Sequence, residues 1–442
     1  MSALITKNLR ILLAKQMYNL LDLGANTYLP DTKKSYIYAF MGKQIRWNSG
    51  TEVAGVPLED DANINEYYRR GIYAKQISLE NASLVTSRVN WKSGTVYNTY
   101  LSNSNFYVLN SKDQVFKCLA NSAVGTASTD EPQLTLSTTS LEEPHVSTSD
   151  NYKWKYMYTL TSAQKQKFLT DEWLPVTYNK FVKAAAVGGA IDIVNITNSG
   201  NNYTDGTLQN IITVTGDGSG VILKANVSSG HVQNIIIQNR GLAYTYANVA
   251  FTDVTGGLGS GATATVSISP HDGHGYDPVY ELNATTIMFN VEYDQSETYN
   301  LPTDNDFREI VLLQNPYKFG TTTLGTAQSY TLYTKIKTSP GVGNFNNDET
   351  VYQGATFAES TFSAEVISFD EVQNLMYLNN VRGAIETNQS IKGYNSGAIR
   401  VVNTVTDPTL DLYSGKILYI SDKLPITRDP SQTERIRFIL SF

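Results

Sequence analysis

The stretch ELNATTIMFNVEYDQSETYNLPTDNDFREIVLLQNP, residues Glu281–Pro316, separates two segments of different composition. It contains two strand-like runs, Thr286–Tyr293 and Phe307–Leu313, and the second run is almost continuously apolar. A Pro/Asp/Asn turn at Leu301–Asp306 lies between them. A Gly/Thr/Asn-rich repeat precedes this stretch, and a series of short strand-like runs follows it. We therefore expect Glu281–Pro316 to be where the chain returns to its main body between two inserted modules.

The segment before that stretch is an internal duplication. Ile191–Thr204 and Val232–Thr245 match without a gap, at an offset of 245 − 204 = 41 residues. Glycine clusters recur at the same offset, and each copy ends in an alternating strand-like run, Val221–Val227 or Ala262–Ile268. Two such β units can bury a shared face that neither could bury alone. Residues 190–269 are therefore predicted to be a self-contained inserted β module.

Residues 343–402 are predicted to be a second inserted module. They contain about five short strand-like runs with tight turns, which is typical of a small β-barrel. The remaining residues, 1–189, 270–342 and 403–442, form the host domain, and the terminal run Glu434–Phe442 is expected to be tied into one of its sheets. The predicted fold class is mainly β: a β-sandwich host domain with a few short helices, plus two inserted small β modules.

Three local predictions concern the host domain. Ala3–Leu23 is the best helix candidate, and Gly24 is a plausible C-cap. Its apolar side chains share one helical face: Ile5, Leu9, Leu12, Leu13, Met17 and Leu20. We expect this face to pack on the core of the chain itself, with docking on a partner as the alternative. Tyr67–Ile77 is predicted to be a short helix, and Tyr152–Leu160 a strand with one buried face.

Composition excludes several classes of function. Charged residues make up 17% of the chain, the formal net charge is −7 and there is no basic block, so we expect no nucleic-acid partner. Aromatic residues reach 11%, with 29 Tyr, which favours extensive protein interfaces. Cys118 is the only cysteine, which excludes an intrachain disulfide and a thiolate metal cluster.

Lys7, Arg10 and Lys15 interrupt the first apolar run, so we expect no signal peptide, no membrane span and a cytoplasmic site of synthesis.

The tightest polar cluster is Ser269–Pro278, which holds His271, Asp272 and His274. These side chains are possible ligands for Zn²⁺ or Mn²⁺. We favour a Gly/Pro hinge that leaves the repeat, with the histidine side chains bonding backbone, because His-x-x-His lacks a third ligand. Whether His271, Asp272 and His274 bind an ion stays open.

No other motif predicts chemistry. Gly216–Gly220 is similar to a phosphate-binding loop, but no Lys-Ser/Thr follows and no helix starts there. Adjacent carboxylates occur at Asp60-Asp61, Glu142-Glu143 and Asp370-Glu371, but sequence cannot place them across a cleft. No GxSxG or HExxH pattern and no Cys/His nucleophile pattern is present. We therefore expect no enzyme activity, no catalytic residue, no cofactor and no metal ligand.

Several short pieces of the host domain form an ordered set. They are Ile37–Gly42 with Trp47, Arg88–Trp91, Val115–Leu119, Asp150–Tyr156, Asp306–Ile310 with Asn315-Pro316, and Gln432–Phe442. In this set the chain resembles the gene product 8 family of baseplate wedge subunits of T4-like contractile-tailed bacteriophages. The resemblance covers about two thirds of the chain. The two inserted modules are departures from the shorter T4 version.

The resemblance implies a structural virion component of the viral tail, assembled in the host cytoplasm. It implies a β-sandwich subunit that forms a homodimer and binds other baseplate wedge proteins. It also implies that six wedges around a hub form the baseplate, which would rearrange on attachment and trigger sheath contraction. No active site, cofactor, membrane contact or small-molecule substrate comes with it.

Two other classes of function stay open as alternatives. A receptor- or glycan-binding tail protein could use Tyr203, Tyr244 and Tyr246 of the repeat, which we expect to be exposed, to stack on sugar rings. A tail-associated hydrolase would turn over cell-wall or capsule polymer.

Overall fold

The structure is a computed structural model that describes residues 4–21, 35–43, 56–102, 104–121, 125–135, 145–209, 211–252, 258–294, 297, 300–303, 305–429 and 431–442. Three features of the sequence predictions lie outside these residues: Gly24, Trp47 and the pair Glu142-Glu143. None of the described helices is long and apolar enough to cross a membrane.

The described residues form five α-helices and 26 β-strands. The helices are α1 (Lys7–Asn19), α2 (Asp61–Arg70), α3 (Ser162–Phe168), α4 (Lys180–Ala184) and α5 (Pro278–Glu281). The strands before the repeat are β1 (Ile37–Gly42), β2 (Gly71–Ile77), β3 (Ala82–Ser87), β4 (Tyr107–Leu109), β5 (Gln114–Ala120), β6 (Val146–Ser147), β7 (Lys153–Thr159) and β8 (Trp173–Val176). Those of the repeat are β9 (Ile191–Asn201), β10 (Gly206–Leu208), β11 (Ile212–Gly216), β12 (Ser219–Ser228), β13 (His231–Leu242), β14 (Ala247–Phe251) and β15 (Ser260–Ile268). The later strands are β16 (Thr286–Tyr293), β17 (Asn305–Gln314), β18 (Ser329–Thr331), β19 (Thr334–Thr338), β20 (Thr350–Gln353), β21 (Phe362–Asp370), β22 (Leu375–Gly383), β23 (Ser390–Gly393), β24 (Ile399–Thr406), β25 (Lys416–Arg428) and β26 (Glu434–Ser441).

The fold is mainly β with a few short helices, as predicted, and it divides into two compact units. The first comprises Met1–Lys15, Ser83–Ile287 and Leu440–Phe442, and the second Gln16–Ala82 and Met288–Ile439. The predicted strands of the opening stretch are β16 and β17.

The first unit contains a four-stranded sheet in the order β4-β5-β7-β6, and a separate pairing of β3 with β8. The hairpin of β4 and β5 turns at Asn110–Asp113, where Asp113 has a positive φ of 60°. The prediction of one buried face for Tyr152–Leu160 is wrong, because β7 is buried on both faces. Trp154 packs in an aromatic core, and Lys155 on the other face is buried among charged groups.

The duplicated sequence forms an intertwined pair of β units in the first unit. The last strand of each copy pairs with the first strand of the other copy: β12 with β13, and β15 with β9. The registers are equivalent, since Ser219 lies opposite Leu242 and Ser260 opposite Asn201, and 260 − 219 = 242 − 201 = 41. Both pairs also shift register at equivalent points. Each copy thus contributes one strand to each pair, and the two pairs are related by a local pseudo-two-fold symmetry.

The second unit contains a five-stranded antiparallel sheet in the order β18-β2-β1-β17-β25. The prediction of a helix over Tyr67–Ile77 is confirmed for Tyr67–Arg70 and wrong for Gly71–Ile77. Helix α2 ends at Arg70, and β2 begins at Gly71 and pairs along β1. Burial of β2 beside β1 outweighs the local preference for helix, as tertiary context often does.

The second unit also contains a closed six-stranded barrel in the order β19-β22-β21-β20-β23-β24. Strand β19 closes it by pairing with both β22 and β24, so the barrel extends from Thr334 to Thr406. Its interior is filled by apolar side chains: Ile336, Val351, Phe362, Val366, Met376, Leu378, Ile391 and Val402. The barrel is thus a packed core and not a channel.

Helix α1 presents its apolar face to solvent, which contradicts the prediction that this face packs on the core. Its buried residues are Ile11 and Ala14, whereas Leu9, Leu12 and Leu13 are 40–45% exposed. At about 100° per residue, the buried pair lies on the opposite side of the helix from the leucines. The lysine ammonium groups explain this orientation, because Lys7 Nζ donates to Asn283 and Lys15 Nζ forms an ion pair with Asp277 at 2.5 Å.

Candidate functional site

A cluster of ionisable side chains lies buried where the repeat meets the sheet of β5 and β7, within the first unit. Every member except Arg240 is more than nine-tenths buried at the side chain or residue level. The members are Lys117 on β5, Lys155 on β7, Asp192 on β9, Arg240 on β13, His274 in the segment after the repeat, and Glu281 on α5. Four of the six come from outside the repeat, so the cluster lies at the boundary between the repeat and the sheet.

Two ion pairs organise this cluster. Lys117 Nζ donates to a carboxylate oxygen of Glu281, and Arg240 Nε donates to Asp192 Oδ1 at 2.5 Å. Burial acts to raise the pKa of Glu281, but the Lys117 ammonium and His274 together outweigh it and hold that pKa at about 2. Burial raises the pKa of Asp192, although Arg240 opposes this shift. A buried pair of this kind is costly to break, because the remaining partner is left as an uncompensated charge.

His274 lies between the two carboxylates of the cluster. Its Nε2 is 3.9 Å from Asp192 Oδ2, its Nδ1 is 3.5 Å from Glu281 Oε2, and its ring packs edge-on against Tyr100 at 4.7 Å. Burial, reinforced by Lys117, lowers the pKa of His274 to about 3. The imidazole is therefore neutral at physiological pH, and it fills space between the ion pairs without adding charge.

Lys155 is the cation of the cluster that forms no direct ion pair with a described carboxylate. Burial lowers its pKa to about 8, although the nearby Asp192 carboxylate opposes that shift. Among the described residues, no group of three or more His, Cys, Asp and Glu side chains could hold a metal ion. The cluster thus contains one ion pair within the repeat, one ion pair outside it, and the His274 ring near a carboxylate of each pair.

The structure separates the histidines of the predicted Ser269–Pro278 cluster. The His271 side chain is 97% exposed and its Nδ1 lies 2.9 Å from Asp272 Oδ1, whereas His274 is buried. Neither ring bonds a backbone group of the described residues, so that detail of the hinge prediction is wrong. The two rings occupy different environments and do not converge on one ion.

The glycine-rich loop Gly216–Gly220 has a structural role within the repeat. The Tyr244 ring lies where a side chain on Gly218 would stand, with Cγ 2.4 Å from an ideal Cβ position. Asp217 accepts hydrogen bonds from the backbone N–H groups of Thr245 and Tyr246. The loop thus connects the two copies of the repeat through side-chain packing and backbone capping.

The buried cluster was missed at the sequence level, although the repeat contains a signal for it. Asp192 corresponds to Gln233 in the other copy, and Arg240 corresponds to Ser199, both at the offset of 41. Asp192 is the only charged residue in β9, and Arg240 is the only Lys, Arg, Asp or Glu in β13. In a duplicated sequence, a charged residue without a charged counterpart in the other copy indicates that the two copies have different surroundings at that position.

A second ionic network fixes the barrel to the sheet of the second unit. Arg308 on β17 binds Asp306 at 2.6 Å and Asp348 at 2.7 Å, and Asp348 lies between β19 and β20 of the barrel. Lys43, next to β1, approaches both aspartates and donates to the Ile367 carbonyl of β21 at 3.1 Å. The barrel is therefore held by buried charges and is not an appendage on a free linker.

Comparison with models of known protein families gave no match for this chain, and no curated protein matched it.

Proposed function

We propose that this chain is a structural wedge subunit of the baseplate of a contractile bacteriophage tail. It forms a homodimer and links neighbouring wedge proteins, and it takes part in the attachment-triggered change that leads to sheath contraction. It resides in the virion after assembly in the host cytoplasm. The ordered resemblance of the host segments supports this proposal, and the chemistry of the buried clusters is consistent with it.

One structural observation carries the proposal: the residues that the structure describes leave the apolar face of α1 exposed. Leu9, Leu12 and Leu13 are exposed together on one side of a helix that is held by its opposite side. Contiguous exposed apolar patches are typical of protein interfaces. A permanent assembly component needs such faces, since its interfaces resemble a core divided between chains.

The test is the mass of the purified chain by light scattering, alone and mixed with the other wedge proteins. We expect a dimer that joins a larger complex, and we expect the triple substitution Leu9→Gln, Leu12→Gln and Leu13→Gln to reduce one of these associations. A matched control replaces three scattered exposed residues, Leu101, Val342 and Val372, with Gln. A wild-type chain that stays monomeric and joins nothing would overturn the proposal.

The alternative of a receptor- or glycan-binding tail protein needs a different surface from the predicted one. Tyr203 and Tyr244 are buried, so the prediction that they are exposed for sugar stacking is wrong, whereas Tyr246 is exposed. The barrel instead presents neighbouring rings. Phe357 lies 5.7 Å from Tyr352 and 5.1 Å from Tyr394 between ring centroids.

The ring cluster of the barrel gives this alternative its own test. Binding of the isolated protein to host cells that is lost in Phe357→Ala would favour it. The control is Phe319→Ala, because Phe319 and Phe357 are equally exposed at 43%. Equal binding by both variants would count against a role of the barrel rings in recognition.

A further inference from the structure

Helix α4 of the first unit carries a surface on which aromatic rings and lysines alternate. We call it the α4 surface, and it consists of Tyr178, Lys180, Phe181, Lys183 and Tyr276. The Tyr178 and Phe181 side chains are 62% and 52% exposed, and Tyr276 and both lysines are also exposed. Large aromatic side chains that share one exposed site are unusual on a surface with no partner.

The sequence fixes which side chains of α4 face outward. Asn179 caps the helix, since its Oδ1 accepts from the N–H groups of Phe181 at 2.9 Å and Val182 at 3.3 Å. Val182 is buried in the core beside Trp154. With Val182 inward, Lys180 and Lys183 share an outward side, because residues three apart are neighbours on a helix.

The segment after the repeat completes this surface. Gly275 has a positive φ of 87°, and an ideal Cβ there would lie only 2.3 Å from Val182 Cγ1. This close approach places the adjacent Tyr276 ring 4.9 Å from Lys183 Nζ, while the Tyr178 ring lies 5.4 Å from the same atom. The Lys183 ammonium is therefore in contact range of two aromatic rings.

The charge of the α4 surface is not balanced by the rest of the described chain. Neither Lys180 nor Lys183 forms an ion pair with a described carboxylate. The nearest acidic side chains in sequence to Tyr276 are already used, as Asp277 binds Lys15 and Asp272 binds His271. An uncompensated cationic, aromatic site on a chain of net charge −7 complements a partner that is both acidic and apolar.

We infer that the α4 surface docks an acidic segment of a different polypeptide, in which carboxylates flank an apolar anchor. The carboxylates would pair with Lys180 and Lys183, and the anchor would pack against the exposed rings beside these lysines. A nucleic acid fits less well, because binding to a duplex normally draws on several phosphate contacts and this surface offers two lysines. The inference rests on the proposed function, since it names the chemistry of one of its partners.

The experiment uses the full chain and three synthetic dodecapeptides, with affinity measured by fluorescence anisotropy. The first peptide alternates Glu-Asp pairs with Leu and Phe. The second has Gln and Asn in place of its carboxylates, and the third has Ser in place of its anchors. We expect the first peptide to bind at least about tenfold more tightly than either of the others, and its affinity to fall as salt is raised.

Two variants test the site itself. Lys180→Glu with Lys183→Glu should weaken binding of the first peptide by about tenfold or more, and should create binding of a matched peptide in which Lys replaces the carboxylates. Lys112→Glu is the control, because Lys112 is an exposed lysine on a turn of the same unit. If Tyr178→Ser combined with Phe181→Ser lowers the affinity for the first peptide, the result would support packing of the apolar anchor against these rings.

Each of the remaining outcomes overturns the inference. Equal binding of the acidic and neutral peptides, or equal loss in Lys112→Glu, would mean that no specific acidic site exists. If the lysine reversal instead turns a dimer into a monomer, the occupant is a second copy and the inferred partner is wrong. The proposed function is tested separately, because the wild-type chain would still join the wedge complex in either case.

Discussion

Glu309 and Asp422 lie directly opposite each other on the adjacent antiparallel strands β17 and β25. Glu309 is fully buried, and neither oxygen of its carboxyl group has a hydrogen-bond partner among the described residues. Burial, reinforced by Asp422, raises the pKa of Glu309 well above its usual value, and Arg70 only partly opposes this. Like charges at directly opposed positions destabilise a sheet, so Glu309 is expected to keep its proton near neutral pH.

The substitution Glu309→Gln should stabilise the protein, because it removes the possibility of a buried charge while preserving shape. We expect the free energy of unfolding at pH 8 to rise by about 1–3 kcal/mol. The native pKa of Glu309 lies above the unfolded value, so its stabilising contribution is complete below about pH 4.5 and is lost as pH rises. The gap between variant and wild type should therefore grow from pH 4 to pH 8, as measured by urea denaturation.

Glu349 provides a matched control, since it is a buried glutamate in the opposite situation. Its carboxylate accepts hydrogen bonds from the N–H groups of Asn346 and Ser396 and from the Ser396 hydroxyl. Glu349→Gln should therefore destabilise the protein by about 1–3 kcal/mol. Stabilisation by both substitutions, or by neither, would contradict the distinction drawn between the two sites.

Gly42 is required because the Glu309 side chain occupies the space above it. An ideal Cβ on Gly42 would lie 1.8 Å from Glu309 Oε1 and 2.5 Å from its Cδ. Gly42→Ala should cost about 1–3 kcal/mol, since the buried Glu309 side chain has to move. In a Glu309→Ala background the same change should cost less, and a double-mutant cycle measures the difference. A coupling energy near zero would mean that the two residues do not compete for one space.

The pseudo-two-fold repeat predicts equal effects at equivalent glycines. Gly200 and Gly241 have φ values of +64° and +65°, and each would place a Cβ within 2.8 Å of backbone atoms on the paired strand. Gly200→Ala and Gly241→Ala should each lower the thermal midpoint by a similar amount. Both should exceed Gly94→Ala, where φ is also positive but nothing lies near the added carbon. Unequal costs would show that the two copies do not share their packing.

Sequence reasoning succeeded where the deciding interaction is local or periodic. The hairpin around Asn110–Asp113 and the strands of the repeat follow from turn residues and from the offset of 41. It failed where a distant residue decides the outcome. The orientation of α1 depends on Lys15 reaching Asp277, and the burial of Lys155 depends on charges from the repeat. The periodicity of a helix or strand does not indicate which distant residue its charged side chains will contact.

The buried cluster beneath the repeat gives the prediction with the largest expected effect. Arg240→Met keeps most of the side-chain volume but leaves the Asp192 carboxylate buried without its partner. Breaking a fully buried ion pair costs about 3–5 kcal/mol. Because Arg240 is partly exposed, we expect Arg240→Met to lower the free energy of unfolding by about 3 kcal/mol, at the lower end of that range. Hydrogen exchange should rise first in β9 and β13, the strands that carry the pair.

Its control is built into the pseudo-symmetry, because Ser199 occupies the position equivalent to Arg240 in the other copy and is exposed. Ser199→Met should change stability by no more than about 0.5 kcal/mol. Combining Arg240→Met with Asp192→Asn should recover part of the loss, since the orphaned charge is removed as well. If Arg240→Met costs no more than Ser199→Met, the pair does not stabilise the packing of β9 and β13 within the repeat, and the break in symmetry at these two positions has another cause.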